Sequence, residues 1–337
     1  MGAEGVSDAS MDALLAQVIN PSQTICEWEG WQWAQRCGGV ARPRWRAQAL
    51  AAQANGVCVE PSEDDLGSSW QQILVHAGPQ RQAFLRACQR SWNALPVGGT
   101  LIMSGANRFG VRSSVRRLAK EWQHPIKADL SGQHGRVMSI AKISDTPVKV
   151  LPWIDWQGRG EMSLQAPPGV FAAGRIDRGT RVLLQALENI DLTNIFQITD
   201  LGCGSGILGL AILQRADQAQ LYAADADDLA CAACFGNAQA NACGGQVRVQ
   251  WWDSREPLDA PAADLVLCNP PWHEDAMVAR DAGARMVEQA LVACAAQGQC
   301  FFVATRTQPF EGLLRGYSWQ EYAQDDGFKV LRVVRGK

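Results

Sequence analysis

Short apolar runs, each closed by a polar turn, recur through the second half of this chain. Residues 195–199 (Ile-Phe-Gln-Ile-Thr), 221–224 (Leu-Tyr-Ala-Ala), 247–252 (Val-Arg-Val-Gln-Trp-Trp) and 264–268 (Asp-Leu-Val-Leu-Cys) are examples. Runs of this length and composition predict strands buried in a sheet. Residues 207–213 (Ile-Leu-Gly-Leu-Ala-Ile-Leu) stay apolar throughout and predict a helix lying on that sheet. Strands alternating with helices predict an α/β fold with a parallel sheet. The first half carries an echo. Residues 98–105 and 298–304 are both glycine-started strand candidates that follow a helical stretch. Ser144-Asp145-Thr146-Pro147 reads as a linker, and residues 148–165 hold short apolar pairs around a Gly158-Arg159-Gly160 turn, which predicts a small hairpin. These signals divide the chain into domains 1–147 and 148–337.

The residues that end each run carry the chemistry. The first strand runs into Asp200-Leu201-Gly202-Cys203-Gly204-Ser205-Gly206, and the helix follows at once. Strand, glycine-rich turn and helix together cradle nucleotides, because glycine lets the backbone approach and a helix start offers N–H groups. The spacing of Gly202, Gly204 and Gly206 is G-x-G-x-G, not the G-x-G-x-x-G of a dinucleotide turn. Asp200 suits an electropositive ligand such as an ammonium or a sulfonium. Asp225 ends the second strand about 20 residues on, where a carboxylate can accept both ribose hydroxyls. It can equally cap the next helix. Asp253 closes the third strand and either bonds an adenine amino group or is a plain turn residue. The fourth strand ends in Asn269-Pro270-Pro271-Trp272. Each proline fixes φ and lacks an N–H, so the local carbonyls face outward as acceptors. The Asn269 side-chain oxygen and the Pro270 carbonyl can each take one N–H of a planar amino group, while Trp272 stacks on the attached ring. The plainer alternative is a strand-ending turn with a packed tryptophan.

Composition narrows the setting. At 337 residues, 47% of them hydrophobic, the chain is long enough for two domains with sizeable cores. It has no uncharged apolar run of about 18 residues, so no membrane span is expected. Its N-terminus lacks the basic-then-apolar pattern of a signal peptide. Eleven cysteines suit a reducing, cytoplasmic setting in which most are small core hydrophobes. Cys231 and Cys234 form a C-x-x-C on a helical stretch, but the chain has only four histidines, and no metal site is expected. Cys203 and Cys268 flank the candidate site as packing residues. Residues 1–150 carry 16 Lys+Arg against 12 Asp+Glu, and residues 151–337 carry 15 against 22, so +4 and −7 give the overall −3. Net charge alone does not call for nucleic acid. The first half nevertheless holds Arg42, Arg44 and Arg46 around Trp45, then Arg108, Arg112, Arg116, Arg117 and Lys120. These are candidate phosphate contacts, with 112, 116 and 120 on one helix face.

Taken together, Asp200 with its glycines, Asp225, Asp253 and Asn269-Pro270-Pro271-Trp272 resemble the class I S-adenosylmethionine-dependent methyltransferases. Upstream, Pro167-Pro168-Gly169-Val170-Phe171 followed by Asp177, Gly179 and Thr180 is similar to a P-G-V-F…D-x-G stretch. That stretch opens the catalytic domain in the family of ribosomal RNA small subunit methyltransferase C and large subunit methyltransferase G, which act on the guanine 2-amino group. Residues 95–113 resemble the first domain of the same family. The resemblance implies two tandem Rossmann-like α/β methyltransferase domains, the N-terminal one degenerate and RNA-binding, the C-terminal one catalytic. It implies one S-adenosyl-L-methionine site, since residues 1–150 contain no D-x-G-x-G. Phe171, Asp177, Gly179, Asp200, Gly202, Gly204, Gly206, Asp225, Asp253 and Asn269 would hold the cofactor. Asn269, Pro270, Pro271 and Trp272 would serve catalysis, and Arg108, Arg112 and Arg116 would hold RNA. The family usually carries Phe where Trp272 stands, and a Lys-containing loop where His76-Ala77-Gly78-Pro79 stands. A cytoplasmic monomer acting on ribosomal RNA or a ribosomal subunit is the expectation. Adenine 6-amino or a protein glutamine amide remains open as the target, as does a non-catalytic RNA-binding module. A dinucleotide oxidoreductase is disfavoured by the glycine spacing.

Overall fold

The computed structural model describes residues 8–67, 70–271 and 277–336. The chain separates into two compact units, Gly2–Pro152 and Trp153–Lys337. The first runs α1 (Asp8–Leu15), β1 (Ile25–Trp28), α2 (Gln32–Cys37), β2 (Val40–Arg42), α3 (Arg46–Ala54), β3 (Cys58–Val59), β4 (Gln72–His76), α4 (Arg81–Ala94), β5 (Thr100–Ala106), α5 (Val111–Trp122), β6 (Ile126–Ser131) and β7 (Gly135–Ala141). The second runs β8 (Ile154–Gln157), β9 (Ser163–Ala166), α6 (Arg178–Ala186), β10 (Gln197–Leu201), α7 (Ile207–Leu213), β11 (Gln220–Asp225), α8 (Asp228–Ala240), β12 (Val247–Trp251), β13 (Ala263–Cys268), α9 (Met277–Ala293), β14 (Cys294–Thr305), β15 (Ser318–Asp325) and β16 (Phe328–Val334).

Each unit is built on one seven-stranded sheet, and the two sheets share one order. They run β3-β2-β1-β4-β5-β7-β6 and β12-β11-β10-β13-β14-β16-β15. The first five strands of each are parallel, and the last two are antiparallel. A parallel sheet is covered on both faces, which is why β13 and β5 are almost wholly buried. The expected strands and the helix over 207–213 are present. β10 starts two residues later than its apolar run and ends two residues beyond it, taking in the buried Asp200 and Leu201. The glycine-started segments of the two halves, β5 and β14, occupy the same place in their sheets. The expected hairpin is β8–β9. No described helix is long and apolar enough to cross a membrane.

Register aligns the two units residue by residue. Trp28 pairs with Arg42 and Val75 as Leu201 pairs with Ala224 and Cys268. The next residue makes the same bond in both. The Glu29 N–H donates to the Arg42 carbonyl at 3.2 Å, and the Gly202 N–H to the Ala224 carbonyl at 2.8 Å. Both have positive φ, 60° and 73°. Glu27 and Asp200 therefore correspond, and each carboxylate accepts a helix N–H, from Ala34 at 2.8 Å and from Gly209 at 2.9 Å. On this register Pro43 stands at the place of Asp225, and His76 at the place of Asn269.

The filling of the first unit differs. Arg42, 1% exposed, donates to the carbonyls of Pro61, Asp64 and Asp65 and to the Glu60 carboxylate. Arg90 donates to the carbonyls of Ser62, Glu63 and Asp64. Both guanidiniums lie near the Trp28 ring, at 5.9 and 5.6 Å. Residues 60–65 are thereby held against the ends of β1 and β2. His76 is clamped between Glu27 Oε1 at 2.9 Å and Ser104 Oγ at 2.6 Å. The Arg42–Arg44 cluster is thus internal, not the phosphate-facing patch expected from its charge. The terminal nitrogens of Arg42 are taken by carbonyls and the Glu60 carboxylate, and the buried Arg44 bonds Gln80 at 3.1 Å. Charge tolerates burial where hydrogen-bond acceptors gather around it.

Candidate active site

The site grows from the C-terminal ends of β10, β11 and β13, the edge where parallel sheets place ligands. After β10 the backbone turns through Gly202, Gly204 and Gly206, with φ of 73°, 54° and 86°. Gly204 shows why glycine is needed. Its φ is left-handed, and a Cβ there would meet nothing within 4 Å, so the turn presents bare backbone to open space. The Gly204 N–H donates to Asp225 Oδ2 at 2.8 Å, and Asp225 Oδ1 accepts the Asp227 N–H at 2.9 Å. A carboxylate accepts about four hydrogen bonds, so Asp225 can hold the turn and accept hydroxyls together. The helix that follows is capped by Asp227, which accepts the Leu229 N–H at 3.1 Å.

Asp200 points inward. It is 1% exposed and takes the Gly209 N–H. Burial pushes its carboxyl up from 3.8 to about 7; the Gly209 bond opposes this, and the Asp225 charge adds to it. Asp253 is gripped by Arg255, with Nε at 2.7 Å and a terminal nitrogen at 2.8 Å, and it also accepts the Arg255 backbone N–H at 3.0 Å. Burial alone would raise its carboxyl, but these bonds and the charges of Arg255 and Arg285 hold it below the ordinary value. Its carboxylate thus takes three bonds within its own turn.

Val170 is buried with Leu229 and Ala230, while the next residue, Phe171, is 61% exposed. This pair anchors the loop and leaves an aromatic ring projecting from it. Asp177 caps α6, its Oδ2 accepting the N–H groups of Gly179 at 2.9 Å and Thr180 at 3.4 Å. The same oxygen accepts from Asn269 Nδ2 at 3.2 Å, and Thr180 Oγ1 lies 3.0 Å from that nitrogen. Gly179 sits where a side chain would be crowded. A Cβ there would lie 3.2 Å from the Phe328 ring and 3.4 Å from Asn269 Oδ1. Asn269 is half-buried, Pro270 buried and Pro271 exposed. Trp272, with His273 and Glu274, lies outside the described residues.

The sequence profile of the methyltransferase small-domain family matches residues 161–332. The chain belongs to that family. It is 28% identical over 310 residues to ribosomal RNA small subunit methyltransferase C of Hahella chejuensis, covering 89% of this chain and 84% of that one. It is 26% identical over 264 residues to ribosomal RNA large subunit methyltransferase G of Shewanella denitrificans, covering 77% and 68%. Among solved structures, a T. thermophilus 16S rRNA N2 methyltransferase in complex with AdoMet and guanosine matches with a TM-score of 0.78 at 20% identity. That match covers 99% of this chain and 94% of the other, and both tandem sheets fall within it. The tandem methyltransferase fold expected from the sequence is therefore the fold of this chain.

Other sulfur and nitrogen groups of this methyltransferase fall outside the chemistry. The Cys203 thiol is pushed well up by its bond with Cys234 and by burial, and the Cys268 thiol by burial and then the Asp200 charge. Both stay protonated and act as packing groups. Among the described residues no cluster of His, Cys, Asp and Glu could hold a metal ion. In Gly2–Pro152, a cleft of about 400 Å³ is lined by Asn107, Gly110, Arg112, Ser113, Arg116 and Arg136. Arg116 lies 3.5 Å from Asp129, which also pairs with Arg136. Arg108 is not among the lining residues and sits over the Phe109 ring at 4.9 Å.

The raised Asp200 carboxyl has a pH consequence. Between 3.8 and about 7 the folded state holds this proton and the unfolded state does not, so the group's contribution to stability falls as pH rises through that window. Asp200→Asn keeps an acceptor for Gly209 and cannot ionise. Without cofactor, its melting temperature should gain on the native chain between about pH 4 and pH 7. A difference that stays flat across that range contradicts the assignment.

Proposed function

We propose that this chain transfers a methyl group from S-adenosyl-L-methionine to the exocyclic 2-amino group of a guanosine in ribosomal RNA. The Asn269 amide carries this reading. Its Nδ2 is engaged by Asp177 and Thr180, so Oδ1 is the end left to accept an amino N–H. The Asn269 carbonyl lies 3.9 Å from where a Gly202 Cβ would stand, so this turn and the glycine turn adjoin. The names of the relatives support the target: two of them are ribosomal RNA methyltransferases, and the solved relative is named as an N2 methyltransferase of 16S rRNA in complex with guanosine.

The residues fit the donor. Gly204 offers bare backbone with open space before it, and Asp225 offers a carboxylate for ribose hydroxyls. When bound, S-adenosyl-L-methionine supplies a methyl group already activated on a sulfonium. The protein's task is then to position the acceptor nitrogen. Asn269 Oδ1 and the Pro270 carbonyl accept the two amino hydrogens, which holds the nitrogen lone pair in one direction. Positive charge grows on that nitrogen during transfer, so two acceptors aimed at it stabilise the transition state more than the ground state. Trp272 stacks on the base, and Phe171 projects from the loop that precedes α6. No strong general base is required, because the methylated nitrogen is acidic enough to release its proton to water.

The first unit holds the RNA. Arg112 and Arg116 line the cleft beside the start of α5, with Arg108 close by in the chain. Guanidiniums around a hollow suit phosphate oxygens. Arg42 and the segment 60–65 occupy the strand ends of this unit, which leaves one cofactor site per chain. The eleven cysteines are free thiols, ten of them buried, and suit the reducing cytoplasm. A monomer suffices for this division of labour.

Asn269→Ala should lower kcat by about a hundredfold, comparable to losing one polar group aimed at developing charge. Its Kd for S-adenosyl-L-methionine should stay within about twofold, since the Asn269 side chain faces the acceptor base in this reading. Steady-state assays on ribosomal RNA with calorimetry check this, and unchanged turnover would exclude the amino clamp. Reversing Arg112 and Arg116 to Glu should weaken RNA binding. It should also flatten the salt dependence, by about one unit of slope for each phosphate no longer neutralised. Identical affinity and slope would remove RNA from this face.

A further inference from the structure

We propose that Asp177 and Thr180 are positioning residues that decide which end of the Asn269 amide meets the substrate. This rests on the amino-clamp reading above and adds a cause for it. An asparagine amide has a donor end and an acceptor end of nearly the same shape, and rotation exchanges them. A clamp for an amino group works only with the oxygen outward. The sequence separates the parts by 92 and 89 residues, and the fold brings them together.

The geometry fixes the orientation through chemistry that has one solution. A carboxylate only accepts, so the atom of Asn269 lying 3.2 Å from Asp177 Oδ2 is the nitrogen. Thr180 Oγ1, at 3.0 Å, takes the second N–H of the same nitrogen. Thr180 is 7% exposed, so its hydroxyl is sheltered from competing water. Turning the amide over would break the Asp177 bond and set Oδ1 against that carboxylate, while Thr180 would have to turn its O–H round to donate to Oδ1. It would also aim N–H groups at the N–H groups of the substrate.

The platform itself is held at more than one point. Asp177 Oδ2 also accepts the backbone N–H groups of Gly179 and Thr180, which ties the carboxylate to the first turn of α6. On the other side, Arg178 grips Asp326 with Nε at 2.9 Å and a terminal nitrogen at 3.0 Å, in the turn between β15 and β16. The Arg178 guanidinium also lies 5.5 Å from the Phe328 ring. The start of α6 is therefore anchored to the far strands of the sheet as well as to Asn269. Neither Asp177 nor Thr180 needs to meet the methyl donor in this account.

The test is a double-substitution cycle in the full-length chain. Thr180→Val removes the acceptor at nearly constant shape and should lower kcat about tenfold, the equivalent of one lost hydrogen bond. Donor Kd and melting temperature should change little, and Thr180→Ser should restore kcat. Asp177→Ser keeps a cap for α6 but shortens the reach to Asn269, and should act like Thr180→Val. With Asn269 already changed to Ala, Thr180→Val should cost nothing further, because the group it orients is gone. If the two substitutions lower kcat independently, or if Thr180→Val leaves kcat unchanged while Asn269→Ala lowers it, the positioning role is overturned. If Asn269→Ala itself leaves kcat unchanged, the clamp reading fails first, and the two failures are told apart.

Discussion

Oδ2 of Asp177 accepts three N–H groups, from Gly179, Thr180 and the Asn269 side chain. Two of these bonds begin a helix, and the third reaches across to the end of a central strand. A carboxylate can do this because it accepts and never donates, so each group around it must turn its N–H inward. The consequence for Asn269 is that its nitrogen is turned to Asp177, which leaves its oxygen at the opposite end of the amide. The consequence for the backbone is that α6 and the Asn-Pro-Pro turn are held as one piece. Gly179, crowded by Phe328 and Asn269 Oδ1, lets the two approach that closely. The glycine turn after β10 adjoins the same strand end, so in the proposed reaction donor and acceptor would be placed by neighbouring strands of one sheet.

The duplicated sheet shows what the chemistry requires beyond the fold. Both units carry the same strand order, an acid at the same place bonding a helix N–H, and a positive-φ residue just after β1 and β10. In the second unit that residue is glycine, followed by two more at alternating positions, and the turn faces open space. In the first it is Glu29, and the neighbouring strand end is filled by Arg42 and the carbonyls it gathers. Pro43 stands where Asp225 offers a carboxylate. The backbone plan survives, while its polar groups bond to one another. A shared topology thus supports either a ligand or an internal network at the same edge, and side chains at three or four strand ends decide which.

Much of the fold is legible in the sequence because strands buried on both faces must be apolar throughout, and turns must break them. That constraint makes β10, β11, β12 and β13 readable, and glycines mark the turn into α7. Strand ends are less clear where a polar residue enters the core with a partner, as Asp200 does with the Gly209 N–H. The first unit is harder. β1 is only four residues, with a buried Glu27 that no periodicity announces, and its turn lacks glycine at the informative place. Arg42 and Arg44 look like surface charge, since nothing local reveals the carbonyls and amide that meet them. At the site, the residue types are visible but not their partners. Asp177 looks like a cofactor contact, and its bond to Asn269 spans a sequence distance that no motif records. Asp253 likewise looks available, although Arg255, two residues on, holds it.

In the proposed reaction an amino nitrogen and an activated methyl meet between the Asn269 turn and the glycine turn. A crystal structure of the chain with S-adenosyl-L-homocysteine and guanosine tests it most directly. Ribose hydroxyls are expected on Asp225, the donor along Gly202 to Gly206, and the guanine 2-amino nitrogen within hydrogen-bond distance of Asn269 Oδ1. Guanosine bound elsewhere, or with Asn269 turned so that its nitrogen faces the base, would contradict it.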